Sequence, residues 1–382
     1  MRILILGGEG YLGWPTAMHL SAGGYEVAVV DNYLRRNLMR EEDVEPLYPV
    51  SNLHERIRAW KEISGKTMTC FVGDLTVWDF IVKVFKEFQP EAVVHYAEQP
   101  SAPYSMLRRE AAMLTLNNNL GVTANVIFAV HEFCPDAHIV KLGTMGEYGT
   151  PNIDIEEGWI DIEHHGRKDN FLFPRQAGSL YHTTKIMDTD LLWYYVRIWG
   201  LRVTDLMQGP VYGIFTDESE QDERLLTFFS YDELFGTVLN RFIVQAVAGY
   251  PLTVYGKGWQ TRGYLNIKDT LNCVRLSIQN PANKGELRIF NQFTETFSVN
   301  ELASRVQAAG KLSGVDVQVK NIENPRQEME EHYYNPKNTG LIELGLEPNY
   351  LTENVLLRMM EKVLQYSKLI ARHKIFRGTK WA

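Results

Sequence analysis

A tyrosine, a lysine and a threonine in this chain have the residue types and spacing of an acid–base site. Tyr181 and Lys185 stand four residues apart in the run Tyr-His-Thr-Thr-Lys, so a helix would place both on one face. A phenol with a pKa of about 10 is a poor base at neutral pH, and a neighbouring ammonium group would lower that pKa. Thr144 follows a predicted strand, and its hydroxyl would orient a substrate oxygen beside Tyr181.

A second group of residues has the spacing of a phosphate-binding turn. The apolar run at residues 3–6 leads directly into Gly7, Gly10 and Gly13. Such glycines allow a tight turn, a close approach of the backbone to a pyrophosphate, and close packing of the next helix on the strand. The N-terminus of that helix would offer free N–H groups to the anion. The sequence therefore predicts a dinucleotide ligand.

The residues after the second predicted strand bear on which dinucleotide is bound. Asp31 ends that strand and is placed to hydrogen-bond the ribose hydroxyls of an adenosine, which favours NAD over NADP. Arg35 and Arg36 follow closely and would suit a 2′-phosphate instead. At this point NAD is the prediction and NADP the alternative.

The elements that must position these residues alternate between short apolar strands and amphipathic helices through the first two hundred residues. Alternation of this kind predicts an α/β fold with a Rossmann-type, doubly wound parallel sheet, which we place at residues 1–208. The predicted strands are 2–6, 26–30, 69–72, 92–96, 139–142 and 202–206, and the predicted helices between them include 14–22, 78–87 and 111–132.

Two regions depart from this alternation. Residues 37–66 are charged, contain Pro46 and Pro49, and exceed an ordinary connection, so we predict a functional loop at the adenosine end of the cofactor. After about residue 208 the alternation stops. We therefore predict a smaller, mostly C-terminal α/β substrate domain over 209–382, with a segment at about 240–278 returning to the first domain.

Composition limits the partners that the protein can have. The 382 residues carry a formal net charge of −8, which argues against a nucleic-acid partner. Three scattered cysteines form neither a metal motif nor a disulfide framework, so we expect no metal and a reducing, cytoplasmic compartment. The first strand begins at the start of the sequence, so no leader peptide is expected, and no apolar run has the length of a membrane span.

The glycine turn, the strand-end threonine and the Tyr-x-x-x-Lys motif, in this order, resemble the extended short-chain dehydrogenase/reductase family. Residues 117–123, Asn-Asn-Asn-Leu-Gly-Val-Thr, are similar to the family's asparagine-containing helix, and Asn118 corresponds to its active-site asparagine. Residues 252–256 look like the segment that lines the nucleobase pocket. Family members mostly act on nucleotide sugars, so the resemblance implies bound NAD and a sugar nucleotide.

The resemblance also implies which residues form the site. The expected catalytic residues are Thr144, Met145, Glu147, Tyr181, His182 and Lys185. The expected cofactor-binding residues are Gly7, Gly10, Tyr11, Gly13, Asp31, Asn32, Arg35, Arg36, Asp74, Leu75, Asn118, Tyr181, Lys185, Gln208 and Val211. The expected substrate-binding residues are Thr144, Tyr181, Gln208, Tyr255, Arg262 and Arg326. Guanidinium groups such as the last two hold a diphosphate bidentately.

Several stretches resemble one branch of the family, whose substrates are UDP-glucose and sulfite. Residues 144–149, Thr-Met-Gly-Glu-Tyr-Gly, are specific to it, whereas 4,6-dehydratases place an Asp-Glu pair where this chain has Met145 and Gly146. In the implied reaction, Tyr181 takes the proton of the glucose 4-hydroxyl and the C4 hydride passes to NAD. Water then leaves C6, sulfite adds there, and the hydride returns. Glu147 and His182 are the implied acid–base candidates at C5 and C6.

The resemblance further implies a homodimer, formed by the long helices predicted at 111–132 and 181–199. The alternative is that the aromatic residues of these helices fill the monomer core. Two other functions stay open at this point. The first alternative is a UDP- or dTDP-sugar 4-epimerase or 4,6-dehydratase of the same fold. The second is a non-catalytic binding protein.

Overall fold

The structure, a computed structural model, describes residues 1–325, 332–376 and 378. The strands are β1 Arg2–Leu6, β2 Glu26–Asp31, β3 Thr69–Val72, β4 Ala92–His95, β5 His138–Thr144, β6 Trp159–His164, β7 Arg167–Leu172, β8 Arg202–Gln208, β9 Val211–Tyr212, β10 Leu252–Tyr255, β11 Thr261–Asn266, β12 Glu286–Gln292, β13 Glu295–Ser298 and β14 Val319–Ile322. The helices are α1 Gly13–Ala22, α2 Leu34–Glu41, α3 Leu53–Ser64, α4 Trp78–Phe88, α5 Ala102–Ser105, α6 Arg109–Phe133, α7 Leu180–Trp199, α8 Val238–Val247, α9 Ile267–Gln279, α10 Val299–Leu312, α11 Gly340–Glu343, α12 Glu353–Gln365 and α13 Arg372–Ile375.

The large sheet confirms the predicted Rossmann-type fold. Its strands are all parallel and follow the order β12-β8-β5-β4-β1-β2-β3. The order reverses beside β1, which is where a doubly wound sheet opens a crevice for a ligand. Six of the strands correspond to predicted ones. β12 was not predicted, because it lies far along the chain from the alternating region.

Both faces of this sheet are covered by helices, which explains why its central strands are apolar throughout. On one face, Trp14 of α1, Trp60 of α3 and Val274 of α9 pack with the strands. On the other face, the strands pack with α4, α6 and α7, which contribute the buried residues Ile81, Val84, Phe85, Val122, Val126, Ile127, Leu192 and Val196. The strand ends are thereby fixed as a platform for the site.

The remaining elements surround a second apolar cluster. It contains buried side chains of α8, α10 and α12, together with residues of β10, which pairs in parallel with β14. The segment that rejoins the large sheet comprises α9 and β12, whereas α8, which the sequence prediction also assigned to the first domain, packs in the second cluster. Within the described residues, no helix is long and apolar enough to cross a membrane.

The prediction of a loop at residues 37–66 was wrong, because this segment contains helix α3 and the end of α2. Asn52 caps α3 by accepting a hydrogen bond from the Glu55 amide, and Gly65 ends it in the left-handed conformation. Arg56 of α3 is fully buried, donates to the carbonyl oxygens of Glu9 and Leu226, and lies over the Trp14 ring. The segment thus supports the glycine turn instead of forming a lid.

Candidate active site

A cavity of about 650 Å³ opens at the carboxyl ends of the parallel strands. Its walls come from the turns after β1, β4, β5 and β8 on one side and from the second cluster on the other. This is the expected place for a ligand of an open α/β sheet, and the volume is typical of small-molecule sites. Among the described residues, no group of three His, Cys, Asp or Glu side chains is arranged to hold a metal ion.

The glycine turn at one end of the cavity has no room for side chains. Gly7 has a φ of +85°, and a Cβ there would lie 2.8 Å from the Tyr96 carbonyl group. A Cβ at Gly13 would lie 1.9 Å from the Gly7 carbonyl oxygen. Gly10 lines the cavity immediately before α1. The glycine backbone therefore faces the cavity at a helix N-terminus with no side chain in between, as a pyrophosphate site requires.

Asp31 lines the cavity at the end of β2. Its carboxylate accepts hydrogen bonds from the amides of Glu9 and Tyr33, and burial raises its pKa to about 6.

The two arginines proposed as alternatives for a 2′-phosphate have protein partners. Arg35 lines the cavity, donates to Ser230 and stacks on a phenylalanine ring, whereas Arg36 forms an ion pair with the buried Glu9 and is not a cavity residue.

The other residues predicted to bind the cofactor divide into two groups. Asp74 is exposed, and its carboxylate accepts hydrogen bonds from Thr76 instead of facing the cavity. Lys185, also predicted to bind the cofactor, lies behind the wall and does not line the cavity. The others do line it and are Tyr11, Asn32, Leu75, Asn118, Gln208 and Val211.

Thr144 ends β5 and faces the cavity. Its hydroxyl accepts a hydrogen bond from the Gly146 amide at 3.1 Å, which begins a single turn of 3-10 helix over Met145–Glu147. Met145 and His182 also line the cavity. The absence of a side chain at Gly146 is required, because a Cβ there would lie 2.4 Å from Nε2 of His182.

Glu147, predicted to act at C5 or C6, does not face the cavity. It is fully buried behind the end of β5, where Oε1 accepts a hydrogen bond from the Thr144 amide at 3.2 Å. Its oxygens lie 3.5 Å from Nζ of Lys141 and 3.7 Å from the Arg175 guanidinium. Burial raises the pKa of Glu147 and these cations oppose the shift. In this position Glu147 supports Thr144 and does not itself contact the contents of the cavity.

Tyr181 lines the cavity from the first turn of α7, and Nζ of Lys185 lies 5.9 Å from the centre of its ring. The expected lowering of the Tyr181 pKa by Lys185 is not what the structure shows. Burial raises that pKa, and the negative charges of Glu98 and Glu147 add to the effect. Lys185 is itself paired, since its Nζ lies 2.6 Å from Oε1 of Glu98 and donates to the Leu142 carbonyl oxygen.

Glu98 and Asn119, which the sequence analysis did not single out, connect the turn after β4 to α7. Glu98, in the turn after β4, lines the cavity in front of Lys185. Asn119, next to the predicted Asn118, is fully buried and joins the Gln99 backbone to the Thr184 hydroxyl of α7. The asparagine run signals such a bridge, whereas nothing in the local sequence around Glu98 signals its ion pair.

The far end of the cavity carries the residues expected to bind a nucleotide sugar. Tyr255 and Arg262 line it, and the Tyr255 hydroxyl donates to Glu233 at 3.1 Å. Arg241, which was not predicted, is a buried cation in the same wall and donates to Thr253. Arg326 lies outside the described residues.

Comparison with known proteins agrees with this geometry. The model of the NAD dependent epimerase/dehydratase family matches residues 3–291 of the chain. The chain belongs to this family. Its fold is shared with the UDP-glucose 4-epimerase of Thermotoga maritima, whose structure with UDP-glucose superposes with a TM-score of 0.70 at 20% identity and covers 97% of this chain and 100% of the epimerase.

Two relatives within the family are more similar in sequence. The chloroplastic UDP-sulfoquinovose synthase of Spinacia oleracea is 50% identical over 100% of this chain and 79% of the relative. The UDP-sulfoquinovose synthase of Sulfolobus acidocaldarius is 45% identical over 100% of this chain and 98% of the relative. Within the epimerase/dehydratase family, the chain therefore belongs with the UDP-sulfoquinovose synthases.

The cavity residues fit the cofactor of this family, NAD. The side-chain-free turn at Gly7 and Gly13 would receive the pyrophosphate, and Asp31 would receive the adenosine ribose. The two cations that would favour a 2′-phosphate have protein partners, since Arg35 donates to Ser230 and Arg36 is paired with Glu9. NAD is thus the dinucleotide that the family and the residues support together.

Proposed function

We propose that the protein is a UDP-sulfoquinovose synthase, which converts UDP-glucose and sulfite to UDP-sulfoquinovose without net oxidation or reduction. The observation that carries the proposal is the meeting of Thr144, Met145 and Tyr181 in one cavity wall beside the glycine turn. The two full-length relatives with this name support the same reaction. A methionine in place of a charged side chain directly after Thr144 also argues against a 4,6-dehydratase.

In the proposed mechanism, Tyr181 and Thr144 act on the glucose 4-hydroxyl. Thr144 uses its own oxygen to accept the Gly146 amide, so its hydroxyl hydrogen is available to hold the sugar oxygen while Tyr181 removes the proton. Bound NAD would supply a hydride acceptor that later returns the hydride. The resulting 4-ketone acidifies the hydrogen on C5, which permits loss of water from C5 and C6 and addition of sulfite at C6.

His182 is the proposed acid–base group at C5 and C6, because it lines the cavity one residue after Tyr181. Its Nδ1 lies 3.0 Å from the Ser179 hydroxyl, which orients the ring. Met145 would keep the sulfite side of the cavity apolar. We assign Glu147 a supporting role, since its carboxylate contacts Thr144, Lys141 and Arg175 behind the wall.

The nucleotide end of the substrate is assigned to the second wall. Tyr255 would pack on the uridine, and Arg262 together with the buried Arg241 would neutralise the diphosphate. Arg326 is retained as a further diphosphate ligand from the sequence alone.

The proposed assembly is a homodimer through α6 and α7. Their surfaces expose apolar side chains that a partner would cover, including Phe128 on α6 and Tyr194 and Ile198 on α7. Tyr194 and Ile198 are each 50% exposed, and exposed apolar side chains on paired helices are typical of an interaction face. The proposed location is the cytoplasm, because three free cysteines suit a reducing compartment.

Product analysis tests this function directly. Purified protein is incubated with UDP-glucose, with and without sulfite, and the nucleotide sugars are identified by mass spectrometry. We expect a sulfonated UDP-sugar only with sulfite. Formation of UDP-galactose without sulfite would instead identify an epimerase, and retained NAD without any turnover would identify a binding protein.

A further inference from the structure

A cluster of charged side chains is buried directly behind the wall that carries Tyr181. Its members come from β4 and the turn after it, from β5 and its 3-10 turn, from the segment before α7, from α7 and from β8. The basic members are Lys141, Arg175 and Lys185, and the acidic members are Glu98, Glu147, Asp188 and Asp205. Of these side chains, the proposed mechanism assigns a role only to Glu147.

Glu98 has the central position between this cluster and the cavity. Its side chain is 2% exposed and that of Lys185 is 3% exposed, and the two are joined at 2.6 Å. Glu98 lines the cavity, whereas Lys185 does not. His95 of β4 lies 3.7 Å from the same carboxylate oxygen. Any effect of Lys185 on Tyr181 therefore depends on the charge of Glu98.

The cluster contains more acidic than basic groups. Among the described residues, four carboxyl groups face three cations, and an isolated buried charge is strongly disfavoured. Asp188 is fully buried, and burial together with the charge of Glu98 raises its pKa well above the usual range. His95 adds no charge at neutral pH, because burial lowers its pKa to about 4. The surroundings of Glu98 and Lys185 thus favour the protonated form of a carboxyl group, as at Asp188.

We propose that Glu98 is a positioning residue that holds Lys185 beside Tyr181 and receives, through Lys185, the proton that Tyr181 must lose before it can act as a base. This inference rests on the proposed function. Its physical reason is the enclosure of the site, since a nearly unexposed carboxylate in contact with Lys185 is a closer proton acceptor than bulk water.

The proton movements balance. The Lys185 ammonium first passes a proton to Glu98, where an O–H bond forms, and the neutral Lys185 amine then takes the proton of Tyr181 as the Tyr181 O–H bond breaks. The Tyr181 phenolate then takes the proton of the sugar 4-hydroxyl as the C4 hydride is lost to NAD, so two electrons leave the sugar and enter the cofactor. Return of the hydride reverses each transfer, and Glu98 is again a carboxylate.

A proton count tests the inference. The NAD-loaded protein is mixed with UDP-glucose alone in weakly buffered solution, and proton release to a pH-indicator dye is compared with the absorbance of the reduced cofactor. Loss of water from C5 and C6 releases no net proton, so the count reports the C4 step. We expect the wild-type protein to reduce the cofactor with no proton release, because Glu98 retains the proton.

The variants Glu98→Gln and Glu98→Asp, with the exposed Glu87→Gln as control, complete the test. We expect Glu98→Gln to release about one proton per reduced cofactor and to react about 100-fold more slowly, whereas Glu98→Asp and Glu87→Gln retain the proton. Release of a proton by the wild-type protein would overturn the inference even if Glu98→Gln does not fold. Absence of any cofactor reduction in the wild type would overturn the proposed function as well.

Discussion

The Thr144 amide donates a hydrogen bond to the Glu147 carboxylate while the Thr144 hydroxyl accepts one from the next turn. This reciprocal arrangement is a capping box, formed here on a 3-10 turn at the end of β5. It fixes the threonine hydroxyl at the cavity wall and points Glu147 inward, to Lys141 and Arg175. Glu147, the carboxylate of the motif at residues 144–149, therefore contacts other protein groups and does not face the cavity.

Glu147→Gln should affect stability more than chemistry. The amide oxygen can still accept from Thr144, but Lys141 and Arg175 lose their shared counter-charge. Breaking a buried ion pair in this way costs about 3 kcal/mol, which urea unfolding would measure, while kcat should fall by less than about tenfold. The exposed Glu163→Gln is the control. A loss of activity of about 1000-fold with unchanged stability would show that Glu147 contacts the substrate.

Gly13→Ala should abolish cofactor retention. The new Cβ would lie 1.9 Å from the Gly7 carbonyl oxygen, so α1 would have to move away from the turn that receives the pyrophosphate. The NAD content of the purified protein measures the effect. Gly24→Ala is the matched control, because its Cβ meets nothing within 4 Å although its φ is +89°. It should cost about 1 kcal/mol of stability and leave NAD bound.

The fold and the cofactor end of the site were predictable from the sequence because their signals are local. Gly7 to Gly13 and Asp31 lie within one β-α-β unit, and the alternation of elements is read along the chain. Helix α3 was missed because the charges and prolines of residues 37–66 outweighed the helical spacing of Leu53, Ile57 and Trp60, which pack against the large sheet.

The interior of the catalytic wall was not predictable, because it depends on contacts between distant segments. Glu98 follows β4 and meets Lys185 of α7, and Arg241 of α8 meets Thr253 of β10 in the nucleotide wall. No local pattern distinguishes these residues from surface charges. Similarly, the direction in which Glu147 points follows from the turn at Thr144, which the motif does not reveal.

Asp31→Asn should separate stability from cofactor binding. Burial raises the pKa of Asp31 to about 6 in the folded protein, above about 4 in the unfolded chain. The protonated Asp31 carboxyl group therefore stabilises the folded protein, and this stabilisation is lost as the pH rises from about 4 through 6. The loss is about 3 kcal/mol. In cofactor-free protein, Asp31→Asn should remove this pH dependence in urea unfolding and also weaken NAD binding.

Asp269→Asn provides the comparison for Asp31. Its carboxylate is buried away from the cavity, accepts hydrogen bonds from Asn349, and also has a pKa raised by burial to about 6. This variant should reduce the same pH dependence without changing NAD affinity. Equal NAD affinity in Asp31→Asn and the wild type would contradict the assignment of Asp31 to the ribose.

Ile198→Glu should convert the proposed dimer to a monomer. Ile198 is half-exposed on α7, one turn after Tyr194, and a charge in an apolar interface is strongly unfavourable. Sedimentation velocity measures the change. Leu312→Glu, at an exposed position on α10, is the control and should leave the dimer intact. A monomeric wild-type protein would contradict the assignment of this face.

Tyr181→Phe should stop the proposed reaction while the cofactor stays bound. The substitution removes only the hydroxyl that takes the proton of the sugar 4-hydroxyl, so product formation should fall by roughly 100- to 10,000-fold. NAD content should be unchanged, because the pyrophosphate turn and Asp31 are remote from this hydroxyl. The exposed Tyr350→Phe is the matched control. Full activity of Tyr181→Phe, measured as sulfonated product by mass spectrometry, would exclude Tyr181 as the base and would also remove the proton donor on which the assignment of Glu98 depends.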